Sequence, residues 1–300
     1  MWRVIIPTLN AALDWPRFSS ALLSCVSPKD VLILDSSSTD GTADLARRTG
    51  FRVHSVLQAQ FNHGGTRQLA VELLPDAEIL VFLTQDAILA APDALIELLG
   101  VFADQSVAAA FGRQLPRPGA TPIEEHARLF NYPDQSSVRT LQSREQLGFK
   151  AIFISNSFAA YRREALMAVG GFPSHVIFGE DTITAAKMLL AGWKIAYVAE
   201  AQVYHSHSYT WTQEFRRYFD IGVLHGRERW LLDEFGHAGG EGKRFVLSEL
   251  RYLWPKHVLL IPSALVRTGL KLAGYRLGRM ERKLSLAWKR RLSMHRGFWT

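Results

Sequence analysis

Short apolar runs alternate with amphipathic stretches over the first 110 residues. The runs at 2–6, 31–34, 51–56, 79–83 and 107–111 are too short for helices and read as buried strands. Between them, 15–25, 42–48, 65–73 and 92–102 carry apolar side chains at helical spacing. This βαβα rhythm predicts an α/β fold with a mostly parallel sheet covered by helices. Residues 112–150 break it. Arg113, Pro116, Arg117, Pro118, Gly119 and Pro122 read as a loop, with a helical turn at 126–132. A strand at 155–160, a helix at 163–169, an amphipathic helix at 182–191 and short strands at 194–198 and 202–204 follow. From Thr210 onward the pattern is helical.

In such sheets a ligand binds beyond the carboxyl ends of the strands, so polar clusters there are the candidates. The second strand empties into Asp35-Ser36-Ser37-Ser38-Thr39-Asp40-Gly41-Thr42. Asp35 can accept hydrogen bonds from a base or ribose, and amides at the helix start can meet an anion. The same residues also suit a turn with Thr39 or Asp40 as a helix cap. Asn62-His63-Gly64-Gly65-Thr66-Arg67 is a second such loop. Its glycines allow close backbone approach, and Arg67 is placed to reach a phosphate. It lacks the Lys-Ser/Thr ending of a Walker loop and the spacing of a dinucleotide fingerprint.

The fourth strand ends in Thr84-Gln85-Asp86, where a carboxylate suits Mg²⁺ or Mn²⁺ carrying a diphosphate. His205 and His207, two apart on a strand, share a face and can complete a metal site or touch phosphate. No further Cys or His cluster makes this a zinc site. Gly179-Glu180-Asp181 opens the helix at 182–191. Acids there face the positive end of the helix dipole, either as caps or with one as a general base.

Composition adds two constraints. The single cysteine, Cys25, excludes an intrachain disulfide and fits a reducing compartment. The N-terminus enters a strand directly, without the pattern of a secretory signal. The net charge of +7 is unevenly placed: residues 243–300 hold 14 Lys or Arg against two acids, leaving the rest of the chain acidic. A basic tail suits an anionic surface. Pro262, Arg267 and Lys271 interrupt its apolar run too much for a membrane-spanning helix. A basic amphipathic helix in a bilayer interface, with Trp254, Trp288, Phe298 and Trp299 as interfacial aromatics, is one reading. A helix packed on the rest of the chain or on a partner is the other.

The ordered set Pro7-Thr8-Leu9-Asn10, DSSSTDGT, HGGTRQLA, TQDA, GGF, GED and HSH resembles the inverting glycosyltransferases of family 2. Within that family, FNHGGTRQLA with LTQDA resembles bacterial rhamnosyltransferases. The resemblance implies a GT-A fold, a Rossmann-type mixed sheet flanked by helices. It implies a donor half at about 1–112, an acceptor half at about 113–235 and a basic helical tail at 236–300. It makes Asp181 the catalytic base, with Glu180 beside it. Pro7, Thr8, Asn10, Asp35, Ser37, Asp40, His63, Gly64, Gly65, Arg67 and Gln85 would bind the donor. Asp86, His205 and His207 would hold Mg²⁺ or Mn²⁺. Thr84 stands where the family's acidic motif has its first carboxylate. The implied donor is dTDP-L-rhamnose, and the implied acceptor a saccharide or lipid-linked saccharide in cell-surface polysaccharide synthesis. The expected place is the cytoplasm, peripheral on the inner face of the plasma membrane, with no nucleic-acid partner. Two alternatives are weaker. A sugar-nucleotidyltransferase carries its glycine loop after the first strand, where this chain has Pro7 to Asn10. A non-enzymatic basic protein that binds membranes or nucleic acid explains the tail but not the acids at the strand ends.

Overall fold

The computed structural model describes residues 1–236 and 239–299, so the expected tail is described except at 237, 238 and 300. Nine strands form one sheet: β1 (Trp2–Thr8), β2 (Val31–Asp35), β3 (Arg52–Ser55), β4 (Ile79–Leu83), β5 (Ile88–Leu89), β6 (Val107–Leu115), β7 (Ser137–Arg139), β8 (Phe158–Arg162) and β9 (Lys194–Tyr204). Their order is β3-β2-β1-β4-β8-β6-β9-β5, with β7 also on β9. The strands β3, β2, β1 and β4 are mutually parallel. β8 runs antiparallel to both β4 and β6, and β9 runs parallel to β6. The carboxyl ends of β1, β2, β4, β6 and β9 therefore share one edge, where the amino end of β8 also lies.

Both faces of the sheet are covered. Along β1 and β4, Ile5, Leu80 and Phe82 enter one apolar cluster, while Val4, Ile6 and Val81 enter another. Every residue of β2 and β4 is buried, as expected for strands covered on both sides.

The helices of the first half are α1 (Trp15–Leu23), α2 (Thr42–Arg48), α3 (His63–Leu73) and α4 (Ala94–Gly100). The stretch read as a loop at 113–122 is a loop at 116–121, between the end of β6 and the start of α5 (Pro122–Asn131), which Thr121 and Glu124 cap reciprocally. The short α6 (Arg144–Leu147) and α7 (Arg163–Ala168) precede α8 (Glu180–Leu190). The expected strand at 155–160 begins at Phe158, because 155–157 form a polar turn. The two strands expected at 194–198 and 202–204 are one, kept paired to β6 across a bulge at Gly112/Arg113.

The C-terminal region forms α9 (Trp211–Arg227), α10 (Trp230–Phe235), α11 (Gly239–Leu253), α12 (Ile261–Arg279) and α13 (Leu286–Leu292). α11 packs on α5, with His126 Nε2 3.0 Å from Ser248 Oγ and its ring 5.0 Å from that of Phe245. Trp299 is buried beside Phe219 and Val223. The segment after α13 therefore packs back on α9.

Candidate active site

The loops after β1 and β2 are tied to each other. Asp35 accepts from the Thr8 hydroxyl at 3.2 Å and from the Ser38 amide and hydroxyl at 3.0 and 2.6 Å. The Asn10 amide donates to Ser38 Oγ at 2.9 Å, and Asn10 Oδ1 accepts from the Thr39 amide at 2.9 Å. Asp40 takes the Ala12 and Thr42 amides at 2.9 and 3.0 Å. Asn10 and Ser37 have φ of 51° and 61°, sparsely populated values that the surrounding bonds sustain. Gln85 joins this lattice from β4, exchanging two hydrogen bonds with the Leu9 backbone at 2.7 and 3.0 Å. Pro7, Thr8, Asn10, Asp35, Ser37, Asp40 and Gln85 thus stand together at the carboxyl edge.

The glycine loop is the first turn of α3, capped by Asn62, whose Oδ1 accepts from the Gly65 amide at 2.8 Å. A Cβ on Gly64 would lie 1.8 Å from the Pro173 carbonyl oxygen, so this glycine serves close packing against 170–173. Arg67 is buried, with Nη1 2.9 Å from Glu180 Oε1 and 3.0 Å from the His63 carbonyl oxygen. The His63 ring points toward the C-terminal segment, with Nε2 3.3 Å from His295 Nδ1. Gly64 and Arg67 accordingly pack against the start of α8, while Gly65 gives its amide to the Asn62 cap and His63 meets His295.

Gly179 starts α8 with φ of 77°, a left-handed value that glycine adopts without strain. Glu180 and Asp181 follow in different surroundings. Glu180 is buried; burial raises its carboxyl, but Arg67 and then His63 outweigh this and hold it below the ordinary range. Asp181 is partly exposed; burial first and the Glu180 charge second push it up to about 6. Asn156 serves both acids. Its amide donates to Asp181 Oδ2 at 3.1 Å, its side-chain amide to Glu180 Oε1 at 3.0 Å, and its Oδ1 accepts from the Tyr161 hydroxyl at 2.8 Å.

Asp86 Oδ2 lies 3.4 Å from His205 Nε2 and 3.6 Å from His207 Nε2. One ligand atom from each of the three residues lies within 4.8 Å of the others. The tautomer of His205 follows from its neighbours. Arg128 Nη1 donates to Gln114 Oε1 at 2.6 Å, and a guanidinium can only donate, so the amide oxygen faces it. That oxygen is 2.9 Å from His205 Nδ1, which must therefore carry the proton. Nε2 then presents a bare lone pair to a carboxylate oxygen, an arrangement that suits a cation between them. Burial lowers His205 against the opposing pull of Asp86, and lowers His207 to about 4, so both imidazoles are neutral at pH 7. Burial also opposes ionisation of Asp86, but the Thr84 hydroxyl, together with His205 and His207 when their rings are protonated, outweighs it and holds the carboxyl well below the usual range. An ionised carboxylate with two neutral imidazoles fits a divalent metal.

The two acid clusters are adjacent in the sheet. Leu83 pairs with Phe158, so Asp86 and Asn156 flank the same rung, and the Thr84 amide donates to the Ser157 carbonyl at 3.3 Å. Several residues of this arrangement escape a reading of strand ends: Asn156, Gln114, Arg128, Arg117 and His295. Arg117 donates to the Asp86 carbonyl at 2.5 Å. Only Asn156 had a visible signal, lying in the polar triplet Ser155-Asn156-Ser157 at the carboxyl edge.

A parallel half-sheet ending in a polar loop lattice, joined through an antiparallel strand to an acid–histidine cluster and a helix-borne acid pair, defines a GT-A-type glycosyltransferase. The chain belongs to the family described as glycosyltransferase like family 2, whose model matches residues 3–219. It is 46% identical over 298 residues to the O-antigen chain rhamnosyltransferase RfbN of Salmonella typhimurium, covering 99% of this chain and 95% of that protein. It is 45% identical over the same length and shares to the O-antigen chain rhamnosyltransferase WbaN of Salmonella anatum. Among solved structures it resembles the Pyrobaculum calidifontis mannosyltransferase PcManGT in complex with GDP-Man and Mn²⁺. The TM-score is 0.57 at 21% identity, over 99% of this chain and 85% of that one. Staphylococcus aureus TarS 1–349 with UDP aligns with a TM-score of 0.53 at 15% identity, over 94% of this chain and 91% of that one. These two structures bear on the fold alone.

Proposed function

We propose that this glycosyltransferase moves L-rhamnose from dTDP-L-rhamnose to a saccharide acceptor, with inversion at the anomeric carbon. The observation that supports the chemistry is the acid pair, two neighbouring carboxylates driven apart in proton affinity by their surroundings. The choice of sugar rests on the near-complete overlap with two O-antigen rhamnosyltransferases. In this reading Asp181 takes the proton of the acceptor hydroxyl as its oxygen attacks the anomeric carbon and the bond to the diphosphate breaks. Its raised pKa suits a base that works near neutrality. Glu180 stays ionised in its pair with Arg67, which raises the proton affinity of Asp181 and leaves Arg67 a positioning residue rather than a phosphate ligand. Asn156 holds both carboxylates in register. Asp35 and the β1–β2 loop lattice receive the nucleoside.

Asp86, His205 and His207 would hold a divalent cation, which supplies positive charge to the leaving diphosphate. One oxygen and two imidazole nitrogens favour Mn²⁺ over Mg²⁺. Titration of Mn²⁺ and Mg²⁺ by calorimetry, with Asp86→Ala as control, tests the site without reference to turnover. The donor is tested by mass analysis of products from dTDP-rhamnose against UDP- and GDP-sugars. Transfer from another nucleotide sugar with none from dTDP-rhamnose would overturn the proposed donor. The expected location, peripheral on the inner face of the plasma membrane, belongs to this proposal as well.

A further inference from the structure

Helix α12 is packed on one side only. Its inner side meets α9 at backbone distance: a Cβ at Gly274 would lie 2.4 Å from the Phe215 carbonyl oxygen, and one at Gly278 2.0 Å from that of Phe219. Arg267 and Lys271 lie on that side, 3.2 and 3.7 Å from the Glu214 carboxylate. The outer side is apolar and exposed. At 100° per residue its exposed apolar positions, among them Leu265, Leu272 and Leu277, fall within an arc of roughly 140°, which also holds Arg276. The stripe continues into the corner between α11 and α12, where Trp254 is 71% and Leu259 90% exposed, with Val258 beside them. A continuous apolar surface of this kind marks a contact site.

Charge selects the partner. Between Arg251 and Thr300 the sequence has one acid, Glu281. It is buried between Arg227 and Lys289, at 3.0 and 2.6 Å. Arg251, Lys256, Arg276 and Arg282 are exposed along the same stretch. An apolar stripe interspersed and flanked with cations, with no exposed carboxylate among the described residues of this stretch, matches an anionic bilayer surface.

We propose that α12 and the α11–α12 corner form an in-plane docking face for an anionic lipid bilayer. The run Val258–Arg279, 22 residues, has the length and composition to cross a membrane. The expectation that Pro262, Arg267 and Lys271 break it is met differently. Pro262 sits in the first turn, where a missing amide costs nothing, and the two cations pair with Glu214. Crossing would carry that charge cluster through hydrocarbon, whereas lying in the interface leaves it on the protein side. The face is tied to the active site, because Arg267 donates to the Tyr209 carbonyl at 2.8 Å and the Tyr209 ring stacks on His207 at 5.2 Å. Docking there rests on the glycosyltransferase reading for its purpose, the capture of a saccharide acceptor carried on a lipid.

The test sediments the full chain with vesicles of phosphatidylcholine alone or mixed with phosphatidylglycerol. The protein should pellet with the anionic vesicles, less as salt rises, and little with the neutral ones. The double variant Leu265→Glu/Leu272→Glu leaves the α9 contact untouched and should reduce the pelleted fraction at least about tenfold. Its transfer to a soluble saccharide should stay at the wild-type level. Trp254→Phe should remove a measurable part of the tryptophan quenching by brominated lipid. Undiminished pelleting of the double variant would overturn the proposal. So would a lipid-independent dimer, seen by ultracentrifugation and dissolved by the same substitutions, which would assign the face to a second copy of the chain. Normal docking of a protein with no transfer activity would leave the docking face standing and remove the enzymatic reading.

Discussion

Asp86 and Asp181 are both aspartates at the carboxyl edge of one sheet, beside the same rung between β4 and β8, yet they are held in opposite states. Asp86 is held below the usual range by the Thr84 hydroxyl and, when they are protonated, by the His205 and His207 rings, against the opposing effect of burial. Asp181 sits at about 6 because burial and the Glu180 charge act together on it. In the proposed reaction one acid would hold a cation and the other would accept a proton. The difference comes from the neighbours each element brings: β9 supplies His205 and His207, whereas α3 gives its only cation, Arg67, to Glu180 rather than to Asp181.

The comparison breaks most sharply at Asp181. Asp181→Asn should lower transfer by about a hundredfold to ten-thousandfold, the scale of a positioned base, while thermal stability stays near wild type. Near-normal turnover would take the role of base away from Asp181. Arg67→Met strips Glu180 of its counter-ion in a buried site and should cost about 3–5 kcal/mol of unfolding free energy by urea titration. A loss under about 1 kcal/mol would mean that the pair contributes little, as exposed pairs do.

The metal side is sharpened through Gln114. Gln114→Leu removes the acceptor that fixes the His205 tautomer and should weaken Mn²⁺ binding by about 10–100-fold in calorimetry. Unchanged affinity would show that His205 orients itself without help. The smallest effect is in pH dependence. Asp181 must be ionised to act, so activity should be present above pH about 6 and fall as pH drops through that value. Replacing Glu180 by Gln removes the adjacent negative charge and should move this acid limb to lower pH in the rate profile. A limb that stays in place would trace it to a group other than Asp181.

Much of the fold was legible along the chain. The five runs read as strands in the first half are β1, β2, β3, β4 and β6; β2 and β4 mark themselves because strands buried on both faces leave unbroken hydrophobic stretches, whereas β3 is an edge strand with Arg52 and Ser55 exposed. β5 and β7, two and three residues long, carried no such mark and exist only as partners of β9. The acids of the site were also legible, since a carboxylate at the end of an apolar strand or the start of a helix stands out locally. Their states were not. Asp86, Glu180 and Asp181 are alike in sequence, and desolvation with the nearest charges and donors distinguishes them. Those neighbours lie far away in the chain: Arg67 is more than a hundred residues from Glu180, as Asp86 is from His205.

By itself the sequence determined the layered α/β architecture, the positions of the strand ends and the types of side chain available there. These follow from periodicity, which is local. Tertiary structure alone decided that Arg67 neutralises Glu180 instead of reaching outward, and that Gln114 sets a histidine tautomer from 91 residues away. It also decided that the basic C-terminal helices bury one side of α12 on α9 and leave the other apolar and exposed. Electrostatic interaction and packing depend on distance through space, which no local pattern records.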